Sequence, residues 1–452
     1  MAKLEIQIQT SEMLKPSTPT LNHLRSLNLS MFDQPDASNY APILFHYLPS
    51  NEQNNTAERC DKLKKSLADT LVNFYPLAGR FSRNDLTIHC NDEGAEYVET
   101  RVNANLAQFL HQLGPKIELL DHLIPWCNSF PPESTHLPPL LAVQVNIFNC
   151  GGLVIGIQIS HIITDGFTLG TFMTEWARVS RTGTATKDCS YGHLPSLFHS
   201  RVVPLAHHDF SSLPSSDIVG PKIVTRRFVF DAQAIANLKH RINSSAPFTK
   251  PNRVMIVLSL IWNVLVGISS AKRGHSRDSC LIIPINVRAK SKLPSLQHAL
   301  GNCTLISIPT LEANNRQELH DFANLVGSTL RETLISIGKA NIDDIASMVA
   351  DQSRELVNAF GQKDEKDIYL SSSWCKFPWY EVDFGWGKPF WVSSACRLLE
   401  VIILVDTKEG DGIEAWVSLK EDDIIEFERN IQMVLPRINH ISSQKITPIS
   451  RL

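Results

Sequence analysis

The chain has 452 residues, 43% hydrophobic and 20% charged, which is ordinary globular material and long enough for two domains with cores of their own. A net charge of −3 supplies no electrostatic footprint for nucleic acid or an anionic membrane, so any anionic ligand must be met by a few local cations. The nine cysteines are odd in number and contain no CxxC pair, which points to reduced cytosolic thiols and away from a disulfide framework or a metal site.

The N-terminal "MAKLEIQIQTSEMLKPS" alternates apolar and polar residues without a continuous apolar run. No later stretch approaches the roughly 20 apolar residues that a spanning helix needs, so a soluble cytoplasmic protein is expected. Leu4–Gln9 and Leu86–Cys90 alternate with period two and predict strands. Between them Cys60, Leu63, Leu67, Leu71 and Phe74 stand three and four apart, which predicts an amphipathic helix ended by Pro76 and Gly79. In "LLAVQVNIFNCGGLVIGIQISH" two apolar runs flank Asn149-Cys150-Gly151-Gly152, a hairpin signal in which both glycines can take positive φ. Along the second strand Leu153, Ile155, Ile157, Ile159 and His161 share one face, while Val154, Gly156, Gln158 and Ser160 share the other. Phe167, Leu169, Phe172 and Trp176 then carry helical spacing, so the segment reads strand, tight connection, helix.

Ser190 to Pro221 is rich in proline and serine and keeps no period, as a crossover between domains would be. The expected division is 1–189, a crossover 190–221, and 222–452, with a stretch near 371–395 a candidate to pack back on the first domain. Beyond the crossover come a strand at Lys222–Phe230, a buried helix at Arg253–Ile268, a strand at Ser279–Arg288 and a hairpin from Val401 to Leu419 turning at Glu409–Gly412. Strands and helices mix without βαβ repetition, which makes the fold class α+β.

His161, in "QISHIITDGF", ends the strand where ligands often gather, with Asp165 and Gly166 just beyond. A strand-end histidine is more often a hydrogen-bonded structural residue than a base, and an HxxxD spacing arises about once by chance in a chain of this composition. Corroboration lies more than two hundred residues away, in Asp383-Phe384-Gly385-Trp386-Gly387, five specified residues with two glycines where a backbone must turn or approach closely. HxxxDG together with DFGWG resembles the plant BAHD acyltransferases. "FYPLAGR" from Phe74, "CNDEGAEYVE" from Cys90, "PINVR" from Pro284, "HALGN" from His298 and "SSSWC" from Ser371 agree in order. The chain looks most similar to the family's vinorine synthase-like alkaloid acetyltransferase clade.

The resemblance implies two similar-sized domains like chloramphenicol acetyltransferase, mixed sheets flanked by helices, with a solvent channel between them. It implies an acyl-CoA-dependent transferase in which His161 is the general base, acyl-CoA (acetyl-CoA preferred) is co-substrate, and no metal or resident cofactor takes part. It also implies that Asp165 turns from the ring and pairs with Arg288, so both are architectural, together with Gly166, where any side chain could crowd the channel wall. Asn302 has two readings, a group that orients substrate or holds the oxyanion, or a turn residue after Gly301. Asp383, Gly385, Trp386 and Gly387 are taken as structural, and Ser372, Ser373 and Trp374 as lining the pantetheine arm. The basic stretches near Lys272 and Lys290 are candidates for the coenzyme phosphates. The expected partners are acyl-CoA and a small-molecule acceptor, with no nucleic acid or membrane, acting on a monomer. An O-acyltransferase on an alkaloid-like alcohol is favoured; an N-acyltransferase and a catalytically silent metabolite-binding relative stay open.

Overall fold

The computed structural model describes residues 4–33, 40–49, 56–113, 116–126, 138–184, 193–199, 222–245, 251–313, 318–362, 365–395 and 399–434. They fall into two compact units. The first comprises Met1–Arg201, Pro294–Cys303 and Phe377–Cys396, and the second Val202–Leu293, Thr304–Lys376 and Arg397–Leu452. Each carries its own open mixed sheet with helices, in the α+β manner expected.

The first unit begins with β1 (Ile6–Leu14), β2 (Ser26–Asn28), β3 (Tyr40–Tyr47) and helix α1 (Thr56–Leu71). Helix α1 buries Cys60, Leu63, Leu67 and Leu71 at the predicted spacing. It stops at Leu71, short of the expected end, and Tyr75–Ala78 form a separate 3-10 turn opened by Pro76, which has no N–H to continue an α-helical ladder. There follow β4 (Arg80–Ser82), β5 (Thr87–His89), β6 (Ala95–Val102), α2 (Leu106–Gln112), β7 (Leu141–Phe148), β8 (Leu153–Ser160), α3 (Gly166–Thr182) and α4 (His193–Leu197). In the second unit come β9 (Ile223–Phe230), α5 (Ala232–Ser245), α6 (Arg253–Arg273), β10 (Ser279–Asn286), β11 (Thr304–Ser307), β12 (Thr310–Leu311), α7 (Leu319–Lys339), α8 (Ile342–Gly361) and β13 (Asp367–Ser373). The chain returns to the first unit for β14 (Trp391–Ser393) and ends in the second with β15 (Val401–Asp406), β16 (Ile413–Lys420) and α9 (Glu421–Val434).

The first sheet runs β1-β6-β7-β8-β3-β14, with only the β6 and β7 pair parallel. Strand β8 lies inside it, Ser160 standing opposite Tyr40 of β3, and all eight of its residues are buried, so both of its faces are covered. The second sheet runs β11-β10-β13-β15-β16-β9, with β12 also on β10. Here β15 and β16 form the expected hairpin, and β13 lies parallel to both its neighbours.

Three further expectations need amendment. In the turn between β7 and β8 only Gly151 has a positive φ, of 80°. Gly152 serves close approach instead, since a Cβ there would meet Leu106 Cδ2 at 2.8 Å. Second, α6, with mean hydropathy 2.1 over its most apolar window, is long and apolar enough to cross a membrane, contrary to the reading that no stretch approaches such a length. Its apolar surface is spent in the core of the second unit, where Ile256, Val257, Leu260, Ile261 and Trp262 are buried and Trp262 meets Phe322 edge-on at 5.1 Å. The helix starts on Asn252, whose Oδ1 accepts from Met255 N at 3.0 Å, and stops at Gly274 in the left-handed region. Third, the crossover is not wholly irregular: it contains α4, and Phe198 just after it meets Phe32 edge-on at 5.0 Å. The remainder of 190–221 lies outside the described residues.

Candidate active site

His161 follows the last residue of β8 directly. Ser160 before it and Ile162 and Ile163 after it are buried, whereas His161 is half-buried, so core packing grips the backbone on both sides of the imidazole. The connection ends at Asp165, the N-cap of α3, with φ −94° and ψ 179°. Asp165 Oδ1 accepts from Thr168 N at 2.9 Å, which satisfies one of the N–H groups that a helix start leaves without an intrahelical acceptor. Gly166 opens α3 because of Phe377: a Cβ on Gly166 would lie 2.9 Å from the ring. The side chain that glycine avoids crowding is thus an aromatic ring of its own unit.

The segment Gly301–Cys303 is stitched to this connection at three successive residues. Thr168 Oγ1 donates to Gly301 O at 2.8 Å, Asn302 Nδ2 donates to His161 O at 2.8 Å and Ile162 O at 2.7 Å, and Cys303 N donates to Asp165 Oδ2 at 3.1 Å. Gly301 has φ +118°, in the region where glycine is favoured. Asp165 is therefore occupied on both oxygens by backbone amides. Asn302 Nδ2 also reaches Asp33 Oδ1 at 3.0 Å, giving one amide nitrogen three oxygens of its own chain. An NH₂ group has two hydrogens, so none is left over for an oxyanion. The turn reading and a role in holding the connection fit Asn302 together.

Asp33 is the member of this cluster that sequence reasoning missed. It lies in Ser30-Met31-Phe32-Asp33, where its Oδ2 accepts from Ser30 N and Ser30 Oγ, both at 2.7 Å. The S-x-x-D spacing was a usable signal, because a carboxylate three residues from a serine commonly closes a local turn. Nothing in the local sequence links it to a residue 269 positions away.

The DFGWG stretch belongs to the first unit and packs on the other end of α3. Ser180 Oγ donates to Phe384 O at 2.9 Å, Arg181 Nη1 donates to Asp383 O, and the Phe384 ring meets Trp176 edge-on at 4.8 Å. Asp383 Oδ1 accepts from Gly385 N and Gly387 N at 2.7 and 3.0 Å, and φ at those glycines is +109° and +108°. The Arg59 guanidinium lies 4.7 Å from the centre of the Trp386 ring. Ser180 stands fourteen residues after Gly166, a rise of roughly 20 Å along the helix. At that distance the motif braces the helix and stays clear of the imidazole.

Arg288, Ser372, Ser373 and Trp374 belong to the second unit. Arg288 is buried, and its Nη1 donates to Asn286 Oδ1 at 3.2 Å. Ser372 and Ser373 end β13, paired with Ile403 and Leu404, and Trp374 N donates to Leu404 O at 2.7 Å. Among the basic candidates, Lys272 pairs with Asp423 and Arg273 with Asp367, whereas Lys290 is exposed. Burial, with Asp406 nearby, pushes the Cys375 thiol up to about 12.

Two mixed-sheet units, with a histidine at the end of a buried strand of one of them, define the acyltransferase architecture related to chloramphenicol acetyltransferase. The model of the Transferase family matches residues 4–434, and the chain belongs to that family, the BAHD acyltransferases; it is an acyltransferase enzyme. It is 35% identical to an acetyl-CoA-benzylalcohol acetyltransferase of Clarkia breweri, over 95% of this chain and 99% of that one. It is 31% identical to the stemmadenine O-acetyltransferase of Catharanthus roseus, over 93% and 95%. The crystal structure of vinorine synthase aligns with a TM-score of 0.79 at 26% identity, covering 97% of this chain and 100% of that chain. The fold is shared as well with F. sporotrichioides TRI101 complexed with coenzyme A and T-2, at a TM-score of 0.66 and 17% identity over 90% and 98% of the two chains.

Proposed function

We propose that the chain transfers an acetyl group from acetyl-CoA to a hydroxyl of a plant specialised metabolite, with an alkaloid-like alcohol favoured, and that His161 is the general base. The observation that carries this reading is the placement of His161: a half-buried imidazole on a connection fixed by Asn302 at its carbonyl and by Asp165 at its far end. The relatives described above are named as acetyltransferases of alcohols, in agreement with O-transfer.

In the step itself, the neutral imidazole takes the proton of the acceptor hydroxyl while the oxygen attacks the thioester carbonyl. The tetrahedral adduct collapses, the C–S bond breaks, and the imidazolium returns the proton to the departing sulfur. A positioned base contributes about 10² to 10⁴ in rate, and orientation of the two substrates contributes further. Because the thioester is already activated, no acyl-enzyme is required. Cys375 is poorly suited to carry one, since a thiol at about 12 holds little of the nucleophilic thiolate. Ser372, Ser373 and Trp374 remain our choice for contacts to the donor. We take the enzyme to be cytoplasmic and to act as a monomer.

The test is release of free thiol from acetyl-CoA with a panel of alcohols that includes benzyl alcohol and hydroxylated alkaloids, with product masses checked for one added acetyl. Thiol release matched by an acetyl ester supports the reading. An acetamide with an amine acceptor, and no ester, would replace it with N-transfer, and binding of acetyl-CoA without turnover of any acceptor would leave a silent relative.

A further inference from the structure

Asp33 has no part in the chemistry just described, yet it lies beneath the His161 connection. The carboxylate is 9% exposed. Ser30 N and Oγ hold one oxygen, and Asn302 N at 3.2 Å and Nδ2 at 3.0 Å hold the other. All four donors are neutral, and burial outweighs them, so the carboxyl is pushed up to about 6. The same Asn302 amide nitrogen reaches the carbonyls of His161 and Ile162. Of its three acceptors, Asp33 alone lies outside the connection, and it also holds Asn302 by the backbone. Asp33 thereby fixes where the amide sits against the end of β8.

We infer that Asp33 is a positioning residue for acyl transfer: acting through Asn302, it sets the backbone carbonyls of His161 and Ile162 and with them the aim of the His161 imidazole. The inference rests on His161 being the base. Ser30 on its own turn and Asn302 face Asp33; the ionisable groups next along the network are His161 and Asp165, the latter bonded to Thr168 N and Cys303 N on the other side of the segment. When Asp33 takes up a proton on the oxygen that faces Asn302 N and Nδ2, a donor meets two donors and the Asn302 amide must shift; on the other oxygen the Ser30 hydroxyl can turn to accept it.

The test compares wild type, D33N, D33A and H161A as full chains carrying ¹³C,¹⁵N-labelled histidine, the signal missing from H161A assigning His161. Asp33→Asn keeps the shape of the side chain but permanently turns one oxygen into a donor. In D33N the His161 ring signals should move while the other histidine signals keep their wild-type positions, which a general loosening of the fold would not produce. In wild type those signals should carry an inflection near pH 6, the Asp33 value, that D33N lacks. Turnover of acetyl-CoA with benzyl alcohol should fall about 10- to 100-fold in kcat at unchanged KM for acetyl-CoA, the scale expected for a misaimed group. His161 signals identical in wild type and D33N at every pH would overturn the inference, as would an unchanged kcat. If D33A does not fold, D33N decides alone. Turnover in H161A equal to wild type would remove the general base and with it the inference, a failure told apart from that of Asp33 alone by the H161A rate.

Discussion

Replacing Asp165 by alanine should cost stability for two separable reasons, both visible at its carboxylate. The side chain is 4% exposed and caps α3 through Thr168 N. Loss of an N-cap costs about 1 kcal/mol. The second oxygen accepts from Cys303 N, and taking the acceptor from a buried N–H costs about 1 to 3 kcal/mol. Together these give about 2 to 4 kcal/mol, which in a unit of roughly 200 residues lowers Tm by about 5 to 15 °C. Asp165→Ser separates the two parts, because serine is a good N-cap but too short to reach Cys303. It should recover about 1 kcal/mol of the loss. The assay is calorimetry of the three proteins, with amide hydrogen exchange followed at Thr168 and Cys303. Alanine should speed exchange at both amides, and serine chiefly at Cys303. A melting temperature within 2 °C of wild type, or unchanged protection of Cys303 in both variants, would refute the assignment.

Other outcomes follow from the same geometry. H161A should lose about 10² to 10⁴ in kcat while keeping its melting temperature, since the ring is half-buried and its neighbours hold the backbone; activity near wild type in a folded variant would sink the base mechanism. Initial rates should give intersecting lines, and radiolabelled acetyl-CoA without acceptor should leave no label on the denatured chain; stoichiometric label on Cys375 or Ser160 would install nucleophilic catalysis instead. His46 is fully buried on Ser393 Oγ, and burial lowers it from 6.5 to about 3. The unfolded chain therefore binds the proton first, so the stability due to neutral His46 is complete above pH 6.5 and is lost as pH falls toward 3, by about 5 kcal/mol in all. Acid unfolding of H46Q should be shallower over that window, and an unchanged profile would mean that the ring titrates freely in the folded state.

The elements closest to His161 were legible because each has a short-range cause. Period two across Leu153–Ser160, the glycine turn before it and the three-and-four spacing after Gly166 each specify structure within a few residues. Helices α7 and α8 were not read from the sequence, although their capping boxes, Glu318 with Asp321 and Asn341 with Asp344, are local signals that could have found them. What else sequence left unread is long-range. Nothing near Gly301 says that the segment Pro294–Cys303 joins the first unit, and Asp33 looks like any turn aspartate until Asn302 is brought to it. The sequence correctly read α6 as a buried helix but understated its apolarity, which equals that of a membrane span because protein encloses it.

Helix α3 holds Asp165 and Gly166 at one end and the DFGWG stretch, through Ser180, Arg181 and Trp176, toward the other. The two motifs are thus keyed to a single rod, and what matters between them is phase. Inserting one residue into α3 turns everything downstream by about 100° and advances it by about 1.5 Å. Ser180 would then face away from the Phe384 carbonyl while the His161 end stayed untouched. The loops leading into each motif can lengthen without disturbing this relation; the helix cannot. A change of length in a surface loop between the motifs leaves this phase alone, whereas one inside the seventeen-residue helix resets it.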